Sequence, residues 1–250
     1  MKGGDRTLNP LNSISAAIIS GSVRAVKAHP RIFTHRSPTT EGQEMMQLYY
    51  MPGACSLADH IVLEWAGAKY ETVEMDHKSL KSNDYLALNP GGSVPLLRDG
   101  DFLLTQNAAV LHYLAELHPS AHLLGDDTPR ARAEVMRWLG FLNSDVHLAF
   151  KPLFAAKKAA EDDACAIRLA TTAKRQIRDY LRRLDEQLEG RAWIANGRSV
   201  ADPYLFVIFR WAASMEVDID GLSNLKAFAE RMYADAGVRA ALFAEEGIVI

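Results

Sequence analysis

From Gln47 onward, apolar and polar positions alternate with periods that change along the chain. Leu48, Tyr49 and Tyr50 form a short apolar run; a Pro52-Gly53 turn follows, then a helical repeat through Leu57, Ile61, Val62 and Trp65. Tyr70 to Met75 alternates in the manner of a second strand. After a polar stretch holding His77, Lys78 and Lys81, the segment Asp84 to Leu97 predicts a helical turn, an Asn-Pro-Gly-Gly loop and a strand opening at Pro95. Asp99-Gly100 predicts a tight hairpin with Asp101 to Leu104 as its return strand. Thr105 is then expected to cap a helix carrying Ala108, Val110, Leu111, Leu114 and Leu117. The order βαβ followed by αββα implies a small α/β unit with a mixed sheet over residues 47–118.

The pattern breaks at His118 to Thr128, where Pro, Gly and paired Asp mark a linker, 119–128, with no strand signal behind it. Residues 129–250 read as all-helical. Pro129, after a Thr128 cap, opens a helix with Val135, Trp138, Leu139, Leu142, Val146 and His147 before Pro152. A long helix, roughly Ala160 to Glu189, repeats Ile177, Leu181, Leu184 and Leu188 and ends at Gly190. Its basic face is interleaved with Asp179, Asp185, Glu186 and Glu189, as on a solvated side. Ser199-Val200-Ala201-Asp202 is a capping box ahead of a helix, Pro203 to Met215, that is apolar nearly all round and therefore expected at the centre of the helical part. Asp202 accordingly reads as structural.

Composition changes this picture little. The chain has 250 residues, 48% of them hydrophobic, a net charge of −3 and 24% charged side chains, which gives no bulk attraction to nucleic acid or to an anionic membrane. A small-molecule partner fits better. No apolar run approaches the roughly 20 residues that span a bilayer. Residues 1–46 differ in character: they carry +3, which leaves −6 for the rest, and are frequent in Ser, Thr, Pro and Gly. Three readings stand for them: an upstream start codon not used in the cell, with Met45-Met46 as the working start; a disordered extension; or an Arg-rich organelle transit peptide.

Two cysteines, Cys55 and Cys165, lie far apart with no CxxC or His companion, which argues against a disulfide framework and a metal site. Cys55 sits where the first helix begins. Unpaired N–H groups and the positive end of the helix dipole favour a thiolate there, and make Cys55 the first candidate for chemistry; a small buried, unreactive cysteine is the competing reading.

Five separated motifs, Tyr49 to Ala58 (YYMPGACSLA), Asn89 to Pro95 (NPGGSVP), Leu103 to Glu116 (LLTQNAAVLHYLAE), Val146 to Phe154 (VHLAFKPLF) and Ser199 to Phe206 (SVADPYLF), occur in an order that resembles the cytosolic glutathione transferases, more narrowly the bacterial beta class. The resemblance covers about four fifths of the chain. It implies an α/β thioredoxin-like N-terminal domain that binds glutathione, an all-α C-terminal domain, and a homodimer in the cytoplasm. It also implies a cis Val94-Pro95 bond, with Val94 offering its backbone to the cysteinyl part of glutathione, and Gln106 and Asn107 holding the γ-glutamyl group. Cys55 would lie beside the glutathione sulfur, and His147 would project into the cleft. Tyr50 is a minor candidate for activating the thiol. Phe150, Phe154 and Trp211 are candidate pocket walls.

Two positions depart from the resemblance. Gly91 and Leu148 stand where many relatives carry Lys; Lys78 or Lys81 would have to supply the lost charge toward the glutathione carboxylates. The expected reaction is attack of glutathione thiolate on a small hydrophobic electrophile, with glutathione as co-substrate and no permanently bound cofactor or metal. A redox enzyme using Cys55 covalently, and a noncatalytic scaffold, are the rival readings.

Overall fold

A computed structural model of the chain describes residues 45–126, 128–154 and 162–247. The expectations for residues 1–46 thus lie outside the described residues except at the last two positions, and Met46 already belongs to the first strand. That strand, β1 (Met46–Tyr50), pairs in parallel with β2 (Tyr70–Glu74) and antiparallel with β3 (Leu96–Asp99), which in turn pairs antiparallel with β4 (Phe102–Thr105). The sheet order is β2-β1-β3-β4, a mixed sheet as the sequence order implies. Gly100 turns the β3–β4 hairpin with φ +58°, a conformation that costs a residue without Cβ nothing.

Helix α1 (Leu57–Ala66) follows β1 and buries Leu57, Ile61, Val62 and Leu63 against the sheet face that also carries Leu48 and Leu97. Gly67, in the left-handed conformation, closes it. The short α2 (Asn83–Leu88) lies on the other face, where Tyr85 joins Met75, Leu80 and Leu96 in a second small core. Helix α3 (Asn107–Leu117) buries Val110, Leu111 and Leu114 beside α1. Thr105 does not cap it. Thr105 is the last residue of β4, and the position before the helix is Gln106 at φ +76°. A left-handed backbone at a residue with a side chain is strained, and it turns the chain sharply from strand into helix.

The stretch 119–128 is less purely polar in its role than its composition implies. Pro119–Ala121 forms a 3-10 turn, and Leu123 and Leu124 are buried, with the Leu123 carbonyl accepting from Val200 N–H at 2.9 Å. Thr128 Oγ1 then accepts from Ala131 N–H at 3.2 Å, the expected cap on α4 (Pro129–Phe141). After α4 the helical ladder widens to a π turn at Leu142–Val146 before α5 (His147–Ala149). The long amphipathic α6 (Asp163–Gln187) is capped by Asp162, whose carboxylate accepts from Cys165 N–H.

Helix α7 (Ala201–Ser214) runs through the middle of the helical part with eleven buried residues, as its all-round apolar character predicts. Asp202 at its start is fully buried and accepts from Ile194 N–H at 2.9 Å and from Ser199 N–H at 2.7 Å, so the capping box forms. Helices α8 (Ser223–Ala234) and α9 (Ala236–Glu246) close the chain. Helix α9 packs on α1: His60 Nδ1 meets Glu245 Oε1 at 3.0 Å, and Trp65 Nε1 donates to Asp235 Oδ1 at 2.7 Å. Gly237 permits this approach, because a Cβ there would stand 2.8 Å from the Trp65 ring. Among the described residues no helix is long and apolar enough to cross a membrane.

Candidate functional site

Three chain segments converge at one end of the sheet: the turn before α1, the loop before β3 and the start of α3. The peptide bond Val94-Pro95 is cis, as the resemblance implies. The loop ahead of it is held from within, since the Ser93 carbonyl accepts from Tyr85 Oη at 2.6 Å and from Asn89 Nδ2 at 2.7 Å. Gly92, at φ +54°, makes the loop fit; a Cβ there would lie 3.0 Å from the Leu80 carbonyl oxygen and from Lys81 Nζ. Across this loop the Cys55 thiol faces the Val94 carbonyl, with Sγ to O at 3.8 Å.

The thiol is not the ready thiolate that its place near a helix start suggests. Cys55 is buried, and burial, reinforced by the nearby Asp59 carboxyl, pushes its pKa up to about 12. Backbone N–H groups of Cys55 and Ser56 oppose the rise without cancelling it. Desolvation outweighs the helix terminus here, so Cys55 is a neutral thiol at physiological pH.

Behind Cys55 lies a hydrogen-bonded group that patterning alone did not single out. Asn107, only 4% exposed, turns its side chain inward; with the amide nitrogen donating, it reaches Asp59 Oδ2 at 2.7 Å and the Cys55 carbonyl at 3.2 Å. The orientation follows from the neighbours, because both contacts are acceptors. This side chain is therefore committed inside the protein, and what Asn107 presents outward is its backbone at the start of α3. Gln106 remains exposed at the cleft. Tyr204, from α7, places its hydroxyl against the Asn107 amide and 2.6 Å from His147 Nδ1, with Asn143 Oδ1 3.3 Å from the same oxygen. Tyr204 is a polar tip in an otherwise apolar helix and Asp59 an acid in an apolar-periodic one; those irregularities were the available signals.

The helical part thus brings His147 to the same region, presented by the π turn that precedes it. Its ring is half-buried and stands edge-on to Trp211, with centroids 4.8 Å apart. Burial pulls its pKa below the usual imidazole value, so it is neutral at pH 7. Trp211 also contacts Phe150 and Phe154 and donates from Nε1 to the Gly53 carbonyl at 2.8 Å, tying α7 to the turn before Cys55. The three aromatic residues expected as pocket walls do form one cluster beside His147; Phe150 is its buried base and Phe154, 50% exposed, its open edge.

Tyr50 and Lys78 are not drawn into this group. The Tyr50 hydroxyl donates to Glu74 at 3.4 Å and its ring faces His60, while burial and Glu74 raise its pKa, the opposite of what thiol activation needs. Lys78 is exposed on the loop after β2; Lys81 is the lysine that reaches the site, with Nζ 3.3 Å from the Gly92 carbonyl.

This arrangement matches known proteins along both halves of the chain. Residues 44–116 match the glutathione S-transferase N-terminal domain and residues 148–236 the glutathione S-transferase C-terminal domain. A glutathione S-transferase of Xanthomonas campestris pv. campestris is 50% identical over 201 residues, 80% of this chain and 98% of that protein. A sphingomonad glutathione S-transferase structure complexed with glutathione is 38% identical, with a TM-score of 0.73 over 81% of this chain and all of that one. A bacterial beta class enzyme of Sphingomonas chungbukensis is 36% identical, also with a TM-score of 0.73, over 81% of this chain and all of that one.

Proposed function

Because the chain belongs to the glutathione S-transferase family, matched in both its N- and C-terminal domains, we propose that it conjugates glutathione thiolate to small hydrophobic electrophiles in the cytoplasm, as a detoxifying enzyme. The observation that carries this reading is the meeting, at one place, of the cis Val94-Pro95 loop, the start of α3 and the His147–Trp211 cluster. Glutathione lies along residues 47–118, its cysteinyl backbone paired with Val94 beside Pro95. Its γ-glutamyl group is held by the Gln106 side chain and the Asn107 backbone, where a helix N-terminus favours a carboxylate. Lys81, with Lys78 further out, supplies positive charge on the loop side. The electrophile occupies the aromatic wall of Phe154 and Trp211, furnished by residues 129–250.

The protein's contribution is positioning and stabilisation of the thiolate, with His147 as the group that meets the sulfur. A buried neutral Cys55 supports conjugation over a covalent redox cycle, which needs an attacking thiolate on the enzyme. The purified protein is expected to conjugate a chloronitrobenzene in a glutathione-dependent reaction, and Cys55→Ala to keep that activity largely intact. Absence of any glutathione-dependent rate over background would sink the reading; loss of conjugation in Cys55→Ala would transfer it to the covalent mechanism.

The enzyme acts as a homodimer. Phe102 and Leu103 on the edge strand β4, at 46% and 37% exposure, and Met136 on α4 leave apolar surface that a second copy would cover. Light scattering is expected to return twice the chain mass; the mass of one chain would overturn the dimer.

A further inference from the structure

We propose that the buried pair Asp59 and Asn107, acting through Tyr204, fixes His147 as the tautomer protonated on Nδ1 and so leaves Nε2 as a hydrogen-bond acceptor in the cleft. The inference rests on the reading of His147 given above. It adds three positioning residues to it.

The reasoning begins with Asn107. Its amide faces two groups, and one of them, the Cys55 carbonyl, can only accept. Asp59 Oδ2 accepts as well in either protonation state of the acid, provided that any proton rests on Oδ1, the oxygen without a partner among the described residues. The Asn107 nitrogen must therefore point inward. Its oxygen is left facing the Tyr204 hydroxyl, which lies against the amide's outer side.

Tyr204 is wholly buried, and burial keeps its proton on the oxygen. A phenol has one proton to give. Asn107 Oδ1 faces the Tyr204 oxygen with no hydrogen of its own, so the two would stand lone pair to lone pair unless the phenol hydrogen lies between them; giving that hydrogen to His147 Nδ1 would leave the clash in place. With its hydrogen on the Asn107 side, the Tyr204 oxygen is an acceptor toward His147 Nδ1 at 2.6 Å. A neutral imidazole carries a single N–H. It is thus on Nδ1, and the lone pair is on Nε2, across the ring from Tyr204. Nε2 makes no hydrogen bond with the described residues and is not among the sealed, unpartnered polar atoms, so it is open to an incoming group.

With glutathione in place, Nε2 can accept the thiol hydrogen. The S–H bond breaks, the proton passes to Nε2, and the electron pair stays on sulfur as the thiolate; the resulting imidazolium keeps its Nδ1–H on Tyr204. The opposite tautomer would offer Nε2–H to the sulfur and could not take the proton.

The test is the protonation pattern of His147 in protein labelled with nitrogen-15 at histidine, read by two-bond proton–nitrogen correlation without glutathione, with the resonance assigned by its loss in His147→Asn. The expected result is a protonated Nδ1 and an unprotonated Nε2 in the unmodified chain, loss of that pattern in Tyr204→Phe, and a reduced share of it in Asn107→Ala. A protonated Nε2 in the unmodified chain would overturn the proposal outright, whether or not the variants fold. An unchanged pattern in a folded Asn107→Ala would remove the buried pair from it. Since no glutathione is present, a failure here is distinct from a failure of the conjugation reading.

Discussion

Asp202→Ala is expected to lower the free energy of unfolding by about 3 kcal/mol or more at pH 5, measured by denaturant titration, although Asp202 touches no part of the cleft. Its carboxyl is fully buried and accepts from Ile194 N–H, Ser199 N–H and the Ser199 hydroxyl, at 2.9, 2.7 and 3.0 Å. Truncation leaves three donors without an acceptor, and each buried orphan costs about 1–3 kcal/mol. The loss falls on the segment that leads into α7, the helix that carries Tyr204 and Trp211, so conjugation should fall with stability. Burial pushes Asp202 up to about 7, against the N–H donors that hold it lower. A carboxyl whose folded pKa is raised contributes most below its unfolded pKa, near 3.9, and loses that contribution as pH rises through the folded value. The difference between Asp202→Ala and the parent should therefore narrow from pH 5 to pH 8. A constant difference would argue that Asp202 is ionised throughout.

Alkylation of Cys55 by iodoacetamide in the native protein at pH 7 should run about 10³-fold slower than for an unperturbed thiol, since a pKa near 12 in place of 9.0 lowers the thiolate share by that factor. Cys165, half-exposed at the start of α6, provides the comparison within the same molecule. Peptide mapping after timed labelling separates the two sites, and unfolding should equalise them. Rapid labelling of Cys55 in the folded chain would restore the covalent redox reading. Burial is the main cause of the raised Cys55 value, and Asp59, which adds to it, is the same acid that holds the Asn107 amide.

Apolar periodicity shows the four strands and the helices as far as Met215, because burial on one face imposes a period that the chain must display; it does not separate the two closing helices, Ser223–Ala234 and Ala236–Glu246. Thr128, Ser199 and Asp202 were legible as caps for a similar reason: their partners lie within three residues. The cap on α3 was misplaced at Thr105, because the chain reverses through a left-handed Gln106, a residue type that gives no warning of such a backbone. Motif resemblance points to Cys55, Val94, Pro95 and His147, and the structure sets the Cys55 thiol against Val94 beside the cis bond. Asp59 and Tyr204 were not legible, as their role arises from side chains 48 and 97 positions apart in the chain from Asn107, contacts that no local spacing encodes. Of the two readings of Cys55, a thiolate at a helix start and a buried unreactive thiol, burial favours the second; a helix start can be seen in sequence, but the depth at which it is buried cannot.

The widened turn at Leu142–Val146 sets the facing of His147 in a way that bears on the chain's tolerance of length change. A π turn holds one residue more than the α-helical repeat accommodates. Excising a single residue there would let the ladder close in regular fashion while the helix on either side keeps its facing, because the widened turn is what absorbs the additional residue. The same excision within Pro129–Phe141, where the ladder is regular, would swing everything after it by about 100° about the helix axis and carry the imidazole away from Tyr204 and Trp211. A one-residue shortening is thus expected to be tolerated at five positions of this helix and to misdirect one side chain when it falls a turn or two earlier.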